Sequence, residues 1–229
     1  MSSEQKVADA LAEAAVAEIQ SGMVVGLGTG RTASRAVSAL AERVRGERLD
    51  VRCVPTSHVT ETLARALGLQ LADFAMIDKV DYLFDGADEV DPQLRMLKGA
   101  GGAMIRERIV AHAADRRVYI VDESKLVDRL GQRTTLAVGV MAFGLASVRK
   151  RLRDMGLHGV VRRTLDGHLF LTDNGCLIMD LTLEDRDVED LACELNAIPG
   201  VIDHGLFLDE ADEVLVETPR GIEKMVRKE

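Results

Sequence analysis

The sequence predicts an α/β fold: a mostly parallel open sheet with helices on both faces, plus a small inserted α+β subdomain. Three observations lead there. Four short apolar runs each end abruptly in glycine or polar residues and pass into a stretch with helical spacing, the rhythm of parallel strands alternating with crossover helices. From about Gly131 the texture changes, and strand and helix alternate at short range around Gly156, Gly159, Gly167 and Gly175. Strand character returns at Leu206-Phe207 and Val214-Leu215-Val216-Glu217, so the tail is expected to rejoin the first unit. The expected division is a larger unit of residues 1–130 and 204–229 and a smaller one of residues 131–203, the latter expected to contribute contacts between copies of the chain.

The opening stretch, MSSEQKVADALAEAAVAEI, scatters Glu4, Lys6, Asp9, Glu13 and Glu18 among apolar residues. That pattern is an amphipathic helix and not a signal peptide. Residues 23–27 read as a short buried strand running into Gly28-Thr29-Gly30-Arg31-Thr32, with a helix over 33–45. The glycines at 26, 28 and 30 miss the dinucleotide fingerprint, since the third comes one residue early, and no Gly-Lys-Ser/Thr follows. What survives is a turn able to cradle phosphate, with Thr29, Arg31 and Thr32 as extra donors, or a tight turn with no ligand. Residues 51–54 form the second strand, Pro55-Thr56-Ser57 ends it, and Thr56 or Ser57 caps a helix over 58–67.

The third strand, residues 82–84, stops at Asp85-Gly86-Ala87-Asp88-Glu89. Acids placed just past a strand end in an open α/β sheet face a crevice instead of the core. Lys98 follows, then Gly99-Ala100-Gly101-Gly102 and a helix over 103–114 that carries Glu107. A glycine loop opening a helix is an anion site in waiting, because free amides and the positive helix end point at the ligand. The fourth strand, 118–121, ends in Asp122-Glu123-Ser124-Lys125. In the smaller unit, 134–140, 169–172 and 176–183 read as strands and 144–155 and 188–198 as helices, while 221–227 reads as a short closing helix.

Composition narrows the function. The net charge of −9 over 229 residues argues against nucleic acid as a partner. A small anion remains compatible, because a few local cations outweigh the global field at contact distance. No apolar run approaches the ~18 residues of a membrane span. The three cysteines, Cys53, Cys176 and Cys193, have neither pairing nor histidine spacing, which points to a reducing cytoplasm and away from disulfides or zinc.

Asp85, Asp88, Lys98 and Glu107, between the glycine loops at 28–30 and 99–102, can run proton abstraction beside a carbonyl. One carboxylate removes a carbon-bound proton while a cation stabilises the enediolate oxygen. Glu107 shares its helix face with Ala103, Val110 and Ala114, with Ile105 and Ile109 opposite. That apolar face suits a carboxylate whose pKa must rise towards neutrality. The acids at 85, 88, 89 and 91 do not fit a calcium loop, although magnesium held by one or two carboxylates stays open on pattern alone. For Lys98 an electrostatic role is favoured over a Schiff base, since its acid neighbours keep it charged.

Gly26-Leu27-Gly28-Thr29-Gly30, Pro55-Thr56-Ser57, Asp85-Gly86-Ala87-Asp88-Glu89, Lys98-Gly99-Ala100-Gly101-Gly102-Ala103 with Arg106-Glu107, and Asp122-Glu123-Ser124-Lys125 together resemble ribose-5-phosphate isomerase of type A. The likeness continues through Ile198-Pro199-Gly200-Val201 and Gly205-Leu206-Phe207, so it spans the chain in order. The resemblance implies Glu107 as general base through a cis-enediolate, Asp85 and Asp88 as acids at the sugar hydroxyls and in ring opening, and Lys98 as the cation beside the reacting oxygens. It implies substrate-holding loops at Gly28, Thr29, Gly30, Thr32 and Gly99, Ala100, Gly101 and Gly102, with Lys125 at the far side near the phosphate. No cofactor or metal is implied, and a homodimer or homotetramer is. Arg31 stands where the family commonly has serine, and is expected to bind phosphate by a charged fork. Lys6 is the candidate for a further phosphate lysine. A sugar-phosphate sensor is the rival reading, but it would need a DNA-binding module, and no basic helix-turn-helix pattern is read before Val24 or after Val216.

Overall fold

A computed structural model of the chain describes residues 9–227. In chain order the elements are α1 (Ala10–Val16), β1 (Val24–Leu27), α2 (Arg31–Glu47), β2 (Arg52–Pro55), α3 (His58–Ala66), β3 (Val80–Asp85), β4 (Glu89–Val90), β5 (Met96–Leu97), α4 (Met104–His112) and β6 (Ala114–Asp122). There follow β7 (Leu136–Val140), α5 (Leu145–Asp154), β8 (Gly159–Val161), β9 (Leu177–Leu181), α6 (Val188–Asn196), β10 (Val201–His204), β11 (Leu206–Phe207), β12 (Glu213–Thr218) and β13 (Gly221–Val226).

The main sheet has the order β13-β12-β6-β3-β1-β2, parallel throughout except for the antiparallel edge strand β13. Because β2 and β3 lie on either side of β1, the strand order reverses at β1, and a crevice opens beyond the carboxyl ends of β1 and β3. The loops starting at Gly28 and Gly86 enter that crevice. A second, all-antiparallel sheet has the order β10-β7-β9-β8, and a third, β11-β5-β4, joins the two.

Helices cover both faces of the main sheet. On α2, Ala33, Ala36, Val37, Leu40 and Ala41 recur at helical spacing and are buried with Leu11 and Val16 of α1 against Val25, Leu27 and Phe84. Truncating Leu40 to alanine there would cost ~2–5 kcal/mol. On the opposite face, Val110 and Ala111 of α4 pack on Val24, Val54 and Leu83. The same helix turns Met104 and Ile105 towards Ala137 and Ile178 of the second sheet. Thus α4 is enclosed from two sides, and Ile109, not Ile105, is its exposed isoleucine.

Three local expectations fail. The helix expected to reach residue 114 ends at His112, and Ala114, placed on the face of Glu107 by helical spacing, opens β6. Residues 221–227 do not form a helix: Pro219 and Arg220 make a two-residue loop, and β13 returns along β12 from Gly221, whose φ of 126° only glycine adopts readily. The three-residue spacing of Ile222 and Met225 imitates a helical stripe. Residues 169–172 make only isolated bridges, Leu169 with Arg163 and Leu171 with Leu177. Lys6 lies outside the described residues.

Candidate active site

The crevice holds a cavity of about 300 Å³ lined by Thr29, Gly30, Arg31 and Thr32, by Gly86, Ala87 and Asp88, by Lys98, Gly99, Ala100, Gly101 and Glu107, and by Asp122 and Lys125. Most of the residues singled out in the sequence therefore meet in one place. Gly28, Asp85 and Gly102 lie behind this lining, whereas Asp122 belongs to it and was read only as strand punctuation. A wider groove of about 880 Å³ lies against α3 and α4, but Glu61 and Arg65 within it pair with each other in the open.

Each loop is pinned from behind. Asp85 ends β3 fully buried, and its Oδ1 accepts the amides of Thr29 at 3.0 Å and Gly86 at 2.7 Å. Gly28 is required for that approach, since a Cβ there would stand 2.4 Å from the Asp85 Cα. The Thr29 hydroxyl lies 2.8 Å from those of both Thr56 and Ser57 and 3.1 Å from that of Thr60. Ser57 also caps α3, accepting the Thr60 amide, so the capping role expected of it coexists with service to the loop. Across the crevice, Arg162, just after β8, donates to the carbonyls of Gly99 at 2.7 Å and Ala100 at 3.0 Å. Asp88 accepts the Ala100 amide at 2.9 Å.

α2 starts at the cavity without a side-chain cap, because Gly30 is its N-cap at φ 109°. Its first-turn amides are open to an anion. Arg31 is exposed beside them and has no hydrogen-bond or ion-pair partner among the described residues.

The charged centre lies deeper. Lys98 is 4% exposed and Glu107 5%, so both ionisable ends are out of bulk water. The Lys98 ammonium donates to the Gly86 carbonyl and lies 3.0 Å from Asp85 Oδ2 and 3.4 Å from Glu107 Oε2. It also stands 5.4 Å from the centre of the Tyr119 ring and 5.6 Å from that of Phe207, within cation–π range. Sequence reasoning missed both rings, which reach the lysine from strands distant in the chain.

Burial, then repulsion from Asp85, pushes the Glu107 carboxyl up to about 8, with Lys98 pulling the other way. Burial likewise raises Asp85 against the pull of Lys98. For Lys98, burial opposes the charge but the carboxylates Asp85 and Glu107 outweigh it, and its pKa stands above the ordinary value. Asp85 Oδ2 and Glu107 Oε2 have no hydrogen-bond partner. A cation that stays charged thus sits beside a carboxyl group that exchanges its proton near neutrality. Among the described residues no group of three or more His, Cys, Asp or Glu side chains is arranged to hold a metal ion.

A parallel sheet with acids, a lysine and two glycine loops at its carboxyl edge defines an α/β enzyme acting on a small anionic substrate. Comparison with known proteins narrows that class. The family model of ribose 5-phosphate isomerase A (phosphoriboisomerase A) matches residues 52–221. The ribose-5-phosphate isomerase A of Roseiflexus sp. (strain RS-1) is 47% identical over 213 residues, covering 92% of this chain and 91% of that protein. The ribose 5-phosphate isomerase A structure from Methanocaldococcus jannaschii superposes with a TM-score of 0.91 at 37% identity, covering 95% of this chain and 96% of the other. A D-ribose-5-phosphate isomerase solved with phospho-erythronic acid gives 0.90 at 36% identity, with coverages of 95% and 96%. The chain belongs to the ribose 5-phosphate isomerase A family.

Proposed function

We propose that the protein interconverts D-ribose 5-phosphate and D-ribulose 5-phosphate by moving one proton between C2 and C1 of the open-chain sugar, with Glu107 as the base. The single observation that carries this reading is the Glu107 carboxyl, buried at the cavity with its pKa raised to about 8 and its Oε2 beside the Lys98 ammonium. Deprotonated Glu107 takes the C2 proton; the C2–H electron pair forms the C1–C2 double bond of a cis-enediolate, and charge collects on O1. Lys98 stabilises that oxygen. Glu107 returns the proton to C1, while a proton passes from O2 to O1, leaving a C2 ketone and a C1 alcohol.

Asp85, behind the lining, holds Lys98 in place and charged, and Asp88 faces the sugar hydroxyls and assists ring opening. The open N-terminus of α2, with Arg31 on one side and Lys125 on the other, takes the phosphate. That a D-ribose-5-phosphate isomerase was solved with phospho-erythronic acid, a phosphorylated sugar acid, supports a sugar phosphate as the ligand. The reaction needs no cofactor in this reading. Three free cysteines, one of them exposed, agree with a cytoplasmic setting. Exposed Met141, Phe143 and Ile202, at one end of the second sheet, support homo-oligomer contacts there.

A coupled assay for ketopentose phosphate, run from ribose 5-phosphate in metal-free buffer, tests the proposal. Turnover that disappears in Glu107→Gln is the expected result. Full activity in that variant would refute the base.

A further inference from the structure

Arg108 follows Glu107 on α4 yet takes no part in lining the cavity. Its side chain is 18% exposed, and each of its guanidinium nitrogens is engaged elsewhere. Nε donates to Asp203 at 2.8 Å, Nη1 to Glu210, and Nη2 to the carbonyls of His204 at 2.7 Å and Leu206 at 2.8 Å. These acceptors bracket Gly205, whose carbonyl receives the Lys98 amide at 2.9 Å. The backbones are so close that a Cβ at Gly205 would come 2.1 Å from the Lys98 carbonyl oxygen. The Arg108 guanidinium carbon also lies 4.1 Å from the centre of the Phe207 ring, the ring that stands beside the Lys98 ammonium. One side chain on the helix of the base thus grips the segment that supports the cation.

We infer that Arg108 is a positioning residue for the isomerisation: by clamping residues 203–210 and the Phe207 ring against α4, it sets the separation between Lys98 and Glu107. The inference rests on Glu107 being the base. Asp85 from β3, Asp88 from the loop after it, Lys98 from the loop after β5 and the Tyr119 phenol from β6 are the ionisable groups that act on Glu107. Among them only Lys98 favours the ionised carboxylate, so any loosening of Lys98 moves the protonation of Glu107 in one direction, upward. A lysine at position 108 cannot reproduce the clamp, because only a planar fork reaches two carboxylates and two carbonyls together.

The test compares Arg108→Met, Arg108→Lys and Phe207→Leu with the parent chain, following kcat and KM from about pH 5 to 10 together with thermal unfolding. Phe207→Leu matters most, since it breaks the link to Lys98 without stranding Asp203 and Glu210, and it decides the question should Arg108→Met fail to fold. Folded Arg108→Met and Phe207→Leu are each expected to lose about tenfold in kcat with KM within about twofold. The acid limb of kcat should move up by about half a unit or more in both, and in the same direction in Arg108→Lys. An unmoved acid limb in folded Phe207→Leu, or a kcat loss matched only by loss of folded protein, overturns the inference. Glu107→Gln run in parallel separates the two readings. If it is inactive while the limb stays put, only the role of Arg108 falls; if it is active, the base itself was misassigned.

Discussion

Two clusters of buried charge share the Phe207 ring, one around Arg108 and one around Lys98. Each sets one cation among carboxylates, Asp203 and Glu210 in the first, Asp85 and Glu107 in the second. Their hydrogen bonding differs. In the Arg108 cluster Asp203 Oδ1 also accepts the His204 amide and Glu210 Oε2 the Asp209 amide, so both carboxylates take backbone amides besides the arginine. His204 beside them is held neutral, its pKa pushed down to about 4 by burial and then by Arg108. In the Lys98 cluster Asp85 Oδ1 likewise takes two backbone amides, but the ammonium is drawn towards a carbonyl and two carboxylates at once and Glu107 Oε2 has no hydrogen bond. Burial raises Asp203 as well, while Arg108 and the His204 amide hold it down, whereas for Glu107 burial is joined by repulsion from Asp85 and opposed by Lys98. The difference teaches that burial beside a second carboxylate, with one lysine pulling the other way, makes Glu107 suited to carry a proton.

The sharpest way to break this contrast is Glu107→Gln. With Glu107 as the proposed base, its loss should lower kcat by about 10³-fold with KM little changed, measured with ribose 5-phosphate at saturating concentration. A fall confined to KM would place Glu107 in substrate binding. Lys98→Met comes next. In the proposed mechanism it removes the charge that balances the developing enediolate, so kcat should drop on the order of 10²-fold while the pH at which Glu107 ionises rises further. An unshifted profile would mean that Lys98 does not control the base.

A third effect concerns stability and separates the clusters without any substrate. The folded pKa of Glu107, about 8, exceeds its ordinary 4.5, so between these values the native state binds more protons than the unfolded state. Stability from this group is therefore fully present below pH 4.5 and declines as pH rises towards 8. Glu107→Gln should thus unfold at a higher temperature than the parent, by a margin that widens over that interval, on the order of 1 kcal/mol or more at the upper end. Arg108→Met, stranding two carboxylates, should do the reverse, by about 3–5 kcal/mol. A change in the same direction in both variants, or no dependence on pH in Glu107→Gln, would remove the distinction between the two clusters.

How far this was legible in the chain follows from the range of the interactions. The parallel sheet and its crevice could be read because each signal is local: an apolar run, then glycine or acids, then a helical stripe. The acids at 85 and 88, Lys98 and Glu107 stood out for the same reason, as polar residues interrupting strand or helix patterns. The depth of Asp85 could not be read, since it depends on Gly28 allowing the backbone to come within contact of it. Nor could Tyr119, Phe207 and Arg162, which reach the site across strand pairings. The strands β4, β5 and β11 are two residues each, too short for any periodicity. The hairpin at β13 was misread because solvent on an edge strand relaxes the alternation that marks a strand.

The smallest expected effect belongs to the other arginine, and it sharpens the comparison from outside. Arg108 has every guanidinium nitrogen engaged, whereas Arg31 projects beside the uncapped start of α2 with no partner among the described residues. A guanidinium without internal partners breaks no pairing when it is recruited, so the ligand's phosphate can engage it by a charge-assisted fork. Because the site is exposed and screened, the contribution should be about 1 kcal/mol, a KM increase of about fivefold in Arg31→Ser with kcat unchanged. The gap should shrink as salt is added, since screening acts on exposed pairs far more than on buried ones. Equal KM values for parent and variant at low ionic strength would remove Arg31 from the phosphate and leave the α2 amides and Lys125 to hold it.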